Sequence, residues 1–175
     1  MIILDFETNS GAVHDVIEAA AFRVEEENDT YVVKETFHRY YVSAYPLNPY
    51  ALAVHKLTPE KLLRLREGKD YPLYFSEDSD FVRFCEAPKT LVAHNIAFEL
   101  RHIGRLATFE KHVCTMKENK QIVKATNAYG GIKNPKLIET CRYYEIDFDD
   151  KQYHSALYDV TKTLEVLNKM RRNKK

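Results

Sequence analysis

Alternation of apolar and polar positions is densest in the first quarter of the chain. Residues 2–6 read as a short buried strand and residues 15–24 as a second, although the alanines at 19, 20 and 21 also suit a helix. Asn28-Asp29 is a turn signal, and Tyr31-Val32-Val33 with residues 36–42 then reads as a third strand, rich in β-branched and aromatic side chains. Strands this close in sequence predict an antiparallel meander.

The pattern then changes. An apolar stretch runs from Asn48-Pro49 to His55, and Thr58-Pro59-Glu60 carries the cap and first-turn proline of a helix start. Ser79 or Asp80 is the expected cap of a helix burying Phe81, Phe84 and Cys85. Residues 90–93 predict a short strand, followed by a helix with Ile96, Leu100, Ile103 and Ala107 on one stripe. Residues 112–116 predict a further strand, 127–131 a loop and 137–144 a helix. A last helix carries Leu157, Val160, Leu164 and Leu167 on its apolar face. A meander followed by alternating helices and strands predicts an α/β class, a mixed sheet flanked by helices.

With 175 residues and no Pro/Gly/Ser linker, a single domain is expected over residues 1–168, with a basic tail at 169–175. No apolar run approaches the ~20 residues of a membrane helix. The start Met1-Ile2-Ile3-Leu4-Asp5 lacks the features of a secretory signal, so a cytoplasmic location without membrane attachment is expected. Cys85, Cys114 and Cys141 are odd in number and widely spaced, which argues against a disulfide framework or a thiolate zinc site and for small buried side chains. Basic and acidic residues balance at 26 each, which counts against a tight nonspecific duplex binder but not against an enzyme gripping a few phosphates through metals. The basic residues are uneven: Lys117, Lys120, Lys124, Lys133 and Lys136 fall in one stretch with few acids.

Three separated segments carry acids in a pattern suited to phosphodiester chemistry: Asp5-Phe6-Glu7, His94-Asn95-Ile96-Ala97-Phe98-Glu99, and His154-Ser155-Ala156-Leu157-Tyr158-Asp159. Asp5 and Glu7 share one face of the first strand with Ile3, while Ile2, Leu4 and Phe6 face the other way. Two carboxylates at the end of a buried strand are costly unless a cation compensates them, and magnesium suits such oxygen ligands. Asn95 and Glu99, four apart, are expected on one helix face, and His94 at the junction before it. Asp159 falls in the first turns of the last helix. His154 is expected on the loop before that helix, where an imidazole titrating near neutral pH suits a general base. Taken singly, Asp5 and Glu7 are equally two exposed acids at the end of a strand, Glu99 is more readily an ordinary exposed helical acid, and Asp159 is also an acid favoured near a helix N-terminus.

Together these segments resemble the DEDDh, or DnaQ-like, family of 3′–5′ exonucleases. The family's D-x-E-T corresponds to Asp5-Phe6-Glu7-Thr8, its H-N-x-x-F-D to residues 94–99, and its H-x-x-x-x-D to residues 154–159. Val54-His55-Lys56-Leu57-Thr58 and Lys133-Asn134-Pro135-Lys136-Leu137 are weaker likenesses between them. The resemblance implies a ribonuclease H-like fold and two Mg²⁺ or Mn²⁺ ions. Asp5, Glu7 and Asp159 would hold the first ion, Asp5 would bridge to the second, and Glu99 would reach the second ion through water. His154 would be the general base. Thr8, His94, Asn95 and Phe98 would bind the terminal nucleotide of a single-stranded DNA or RNA 3′ end, releasing nucleoside 5′-monophosphates. A polymerase or another protein is an expected partner. Glu99 departs from the family's aspartate by one methylene; its charge is kept, so activity is expected to survive. The competing expectation is an impaired module that binds nucleic acid or a partner without cutting. The family's T-T-G is also loosened to Thr8-Asn9-Ser10-Gly11.

Overall fold

A computed structural model describes residues 1–173. Three strands, β1 (Ile2–Thr8), β2 (Val16–Glu27) and β3 (Thr30–Tyr40), form the expected antiparallel meander. Asn28 and Asp29 both adopt positive φ, 48° and 63°, which is the conformation of the tight turn that matches strand twist. Two short strands, β4 (Thr90–Ala93) and β5 (Lys111–Cys114), add in parallel on the other side of β1, giving the order β3-β2-β1-β4-β5. The helices are α1 (Pro49–His55), α2 (Pro59–Leu65), α3 (Ser79–Cys85), α4 (Ile96–Ile103), α5 (Thr115–Val123), α6 (Leu137–Tyr143) and α7 (Ala156–Arg172). The expected mixed sheet flanked by helices is therefore present.

The alternation of β1 sorts two cores. Ile2, Leu4 and Phe6 pack with Phe75, Phe81, Phe84, Ile96 and Ile103 on one face. Ile3 faces the other way, onto Ala156, Val160 and Leu167 of α7. The alanine run belongs to a strand: Ala19 and Ala21 join the first core, Ala20 the second. Small side chains there let packed layers approach on both faces, and that tertiary demand overrides helix propensity.

Four local expectations are corrected. The cap of α3 is Asp78, whose Oδ1 accepts from the N–H groups of Asp80 at 3.0 Å and Phe81 at 3.3 Å. Asp78 prevails over Ser79 and Asp80 because it is also fixed by Arg39 and by the Tyr41 hydroxyl, at 2.7 Å each. Helix α4 stops before Ala107: Gly104, at φ 56°, caps it, and a Cβ there would lie 2.6 Å from the His14 ring. Strand β5 ends at Cys114, and α5, which was not anticipated, starts at once, its Met116 N–H bound to His94 O at 3.0 Å. Residues 169–172, expected in a basic tail, are the last turn of α7, because Met170 is buried with Cys141, Tyr144 and Val166 and Arg171 pairs with Glu26. Lys174 and Lys175 lie outside the described residues. The three cysteines are buried free thiols, and burial pushes Cys85 and Cys141 up to about 12.

Phe75 is 1% exposed, with ring centroids of Phe81, Phe6 and Tyr41 at 4.7, 5.1 and 5.5 Å. Phe75→Ala is expected to cost about 3–5 kcal/mol in denaturant unfolding. A loss below about 1 kcal/mol would show that this cluster is not the main support of β1.

Candidate active site

The three acidic segments meet at the carboxyl ends of β1 and β4, where α/β sheets place their ligand crevices. β1 presents Asp5 and Glu7 toward α7. The β1–β2 register shifts between Glu7 and Thr8, so the strand bends immediately after the second acid. β4 runs through His94 and Asn95 into α4, which delivers Glu99 from the far side of β1. α7 delivers Asp159 in its first turn, with its N–H bound to Ser155 O at 2.9 Å. Asp5, Glu7, Glu99, Asp159 and His154 all line one cleft of about 350 Å³, with Thr8, His94, Asn95 and Phe98 in its walls. A smaller apolar hollow of about 130 Å³ beside Asn9 contains none of these acids.

Asp5 is partly exposed, whereas Glu7, Glu99 and Asp159 are buried. Glu99 Oε2 and Asp159 Oδ1 are buried without a hydrogen-bond partner. Among the described residues no lysine or arginine pairs with any of the four; the nearest basic group is His154, whose Nδ1 lies 4.0 Å from Glu7 Oε1. Burial raises the Asp5 carboxyl well above its ordinary range, and the Glu99, Asp159, Glu7 and Glu18 charges add to the shift. Glu7 is raised by burial, then by Asp159 and Glu18. Glu99 is raised by burial, then by Glu7 and Asp159. Burial lifts Asp159 to about 7, opposed by the His154 backbone N–H. Buried, mutually repelling oxygens with orphaned lone pairs fit a cation. Glu7, Asp159 and His154 offer ligand atoms within 4.8 Å of one another, so His154 stands as close to the two acids as a ligand would.

His154 stands on the loop before α7, as expected, with φ 67°. Tyr153 stacks on its ring at 3.8 Å between centroids. Burial lowers its pKa, and the Lys136 and Lys56 charges lower it further. His94 sits at the junction with both nitrogens used. Nε2 donates to Pro135 O at 3.1 Å, which leaves Nδ1 to accept from Thr115 Oγ1 at 3.0 Å. Burial pushes its pKa down to about 4, which favours the neutral ring with this donor and acceptor assignment. His94 therefore clamps the cleft wall and has no nitrogen left for a ligand. Asn95 is corrected: it precedes α4 in a non-helical conformation, its carbonyl accepting from Phe98 N–H at 2.9 Å, so it shares no helix face with Glu99. Its side chain is exposed at the cleft mouth. Phe98 is half-buried against His102, centroids 4.6 Å apart.

Two cleft residues, His55 and Tyr153, and one buried residue beside the cleft, Glu18, were given no role from the sequence. His55 is buried, its Nδ1 accepting from Leu57 N–H at 2.9 Å and its Nε2 unpartnered; the V-H-K-L-T likeness had marked its position. Tyr153 could have been found only as the neighbour of His154. Glu18, buried on β2 opposite Glu7, has no motif at all.

A family model described as exonuclease, of the RNase_T type, matches residues 2–167. Ribonuclease T of Shewanella frigidimarina is 30% identical over 126 residues, covering 69% of this chain and 56% of that protein. The DNA polymerase III subunit epsilon of Rickettsia prowazekii is 28% identical over 174 residues, covering 94% of this chain and 71% of its own. The chain spans about half the length of the ribonuclease T relatives, 56% and 55%. Among solved structures, E. coli Exonuclease I in complex with a dA16 oligonucleotide superposes with a TM-score of 0.71 at 15% identity, over 98% of this chain and 40% of that one. Exonuclease X in complex with 5′ overhanging duplex DNA gives 0.61 at 20% identity, over 95% and 89%. These structural likenesses establish a shared fold.

Because folding lifts the four carboxyls above their unfolded values, the folded chain without a cation binds protons that the unfolded chain releases. The contribution of these four groups to stability is therefore fully present below the ordinary carboxylate range and is lost as pH rises through the lifted values, Asp159's being about 7. A divalent cation is expected to raise Tm more at pH 8 than at pH 5. In chelator at pH 8, Asp159→Asn is expected to raise Tm by about 2–6 °C and to lose most of the cation response. A cation response equal at both pH values would refute the shared-charge account.

Proposed function

The chain belongs to the DnaQ-like 3′–5′ exonuclease family, and from that membership we propose that it removes nucleoside 5′-monophosphates from the 3′ ends of single-stranded nucleic acid with two divalent ions, Mg²⁺ or Mn²⁺. The observation that carries this reading is the gathering of Asp5, Glu7, Glu99 and Asp159, unneutralised by any described lysine or arginine, in one cleft beside His154.

Asp5, Glu7 and Asp159 would hold one ion. Asp5 and Glu99 would help hold a second. Such ions offset negative charge on the phosphate and favour ionisation of an attacking water. His154 accepts the proton of that water at Nδ1. The 4.0 Å gap to Glu7 Oε1 is too long for a hydrogen bond and leaves this nitrogen free. The lowered pKa of the ring keeps it neutral, and so able to accept, at neutral pH. Backbone groups at Thr8 and the side chain of Asn95 orient the terminal nucleotide, and the half-buried Phe98 ring gives its base an apolar surface. His94 holds the wall behind them. Glu99 is 2% exposed and lies among the other acids, so the extra methylene is accommodated within the cluster, which supports the active reading over the impaired one.

The Rickettsia relative is a polymerase subunit by name, which makes a polymerase a reasonable partner to test. The ribonuclease T relatives and the DNA complexes of the structural neighbours motivate RNA and DNA substrates alike. Among the described residues no helix is long and apolar enough to cross a membrane.

End-labelled single strands of matched DNA and RNA, with Mg²⁺ or Mn²⁺, are expected to yield mononucleotides. Asp5→Ala and Asp159→Ala should lower the rate at least about 10³-fold, and His154→Ala about 10²–10⁴-fold. Undiminished cutting by the aspartate variants would refute the site. Glu99→Asp should retain turnover and shift the Mg²⁺/Mn²⁺ rate ratio; an unchanged ratio would mean that residue 99 does not address an ion.

A further inference from the structure

Glu18 is a fifth carboxylate that none of the three acidic segments contains. On β2 it lies opposite Glu7 of β1 and opposite Tyr40 of β3, so a row of three polar side chains crosses the sheet on the face covered by α7. Its side chain is 1% exposed. Oε1 accepts from His38 Nε2 at 2.9 Å and from Ser155 Oγ at 3.2 Å. Burial raises the pKa of the Tyr40 hydroxyl, and the Glu18 charge and a hydrogen bond to it raise it further, so Tyr40 remains a donor toward the same carboxylate.

Ser155 is the residue at which this tether acts. It is the N-cap of α7, where a serine hydroxyl ordinarily accepts from the first free N–H groups of the helix. Here the hydroxyl makes no capping bond and is turned to Glu18 instead. The residue before it, His154, is held at φ 67°, a left-handed conformation that a side-chain-bearing residue keeps only when its surroundings impose it. The residue four after it is Asp159, bonded to Ser155 O. A bond to Ser155 therefore fixes the chain between the imidazole and the helical carboxylate.

We propose that Glu18, braced by His38, is a positioning residue that acts through Ser155 to hold the loop on which His154 faces the carboxylate cup. The kinetic consequence rests on the exonuclease reading; the tether itself does not. A base displaced by about 1 Å loses on the order of 10²-fold in rate.

The test pairs kinetics with spectroscopy on the full chain. Glu18→Ala and Ser155→Ala are expected to lower kcat about 10–100-fold with KM within about twofold, and Glu18→Gln, which keeps an acceptor oxygen, to recover most of the loss. The His154 imidazole resonances are expected to broaden or split in the alanine variants and to stay sharp in Glu18→Gln. Ser155→Ala removes a hydroxyl that caps nothing, so it keeps the test open if Glu18→Ala fails to fold. Wild-type kcat together with sharp His154 resonances in Ser155→Ala would overturn the proposal. A wild-type chain that releases no mononucleotide would remove the exonuclease reading, and the resonances would still decide the tether.

Discussion

Four carboxylates crowded into one cleft, with no described lysine or arginine beside them, are the constraint around which this molecule is built. Left alone, such a cluster resists its own formation, because each charge is desolvated and each repels the others. It forms because the strand that carries Asp5 and Glu7 is held on both faces. Ile2, Leu4 and Phe6 are locked into an aromatic core with Phe75 and Phe81, and Ile3 is covered by α7. The helix that buries Ile3 also brings Asp159. Hydrophobic packing and the electrostatic cost are thus coupled through the same elements, and a cation held among the acids would relieve that cost.

The wall of the cleft shows a second economy. His94 spends both ring nitrogens on Thr115 and Pro135, so one side chain joins the end of β4, the start of α5 and the segment leading into α6. Burial lowers the pKa of that ring to about 4 and so favours its neutral form, in which Nε2 donates to Pro135 O and Nδ1 accepts from Thr115 Oγ1. His154 is the contrast: half-exposed, stacked on Tyr153, with Nδ1 free toward the acids. Two histidines that look equivalent as motif residues are separated by their surroundings: one has both ring nitrogens bonded, and the other keeps Nδ1 open toward the acids.

A net charge of zero also fits this arrangement. If ions face the phosphate as proposed, few fixed positive charges would be needed near the reacting bond, and lysines could serve other contacts. Lys133 is one example, paired with Glu139 at 2.6 Å where the chain enters α6. The structural neighbours share the fold at 15–20% identity. At that distance the fold is a scaffold held by pattern, and the chemistry resides in a few positions on it.

The sequence by itself determined most of the elements and singled out four of the acids that line the cleft. Period-two alternation in β1 assigned Asp5 and Glu7 to one face, helical spacing identified α7, and the Asn28-Asp29 turn registered β2 against β3, because these are local properties of neighbouring residues. Local rules misjudged places where distant contacts compete. Asp78 prevailed as a cap because Arg39 and Tyr41 hold it, α4 stopped at Gly104, whose positive φ leaves the helix where His14 and Val13 leave no room for a Cβ, and α7 ran on to Arg172 because Met170 had a core to enter. Glu18 was invisible for the same reason: its partners come from β3 and from the loop before α7, 20 and 137 residues away in the chain. Only tertiary structure could decide which carboxylates share a cleft, which histidine is spent and which is free, since burial, repulsion and hydrogen-bond satisfaction are properties of what folding brings together.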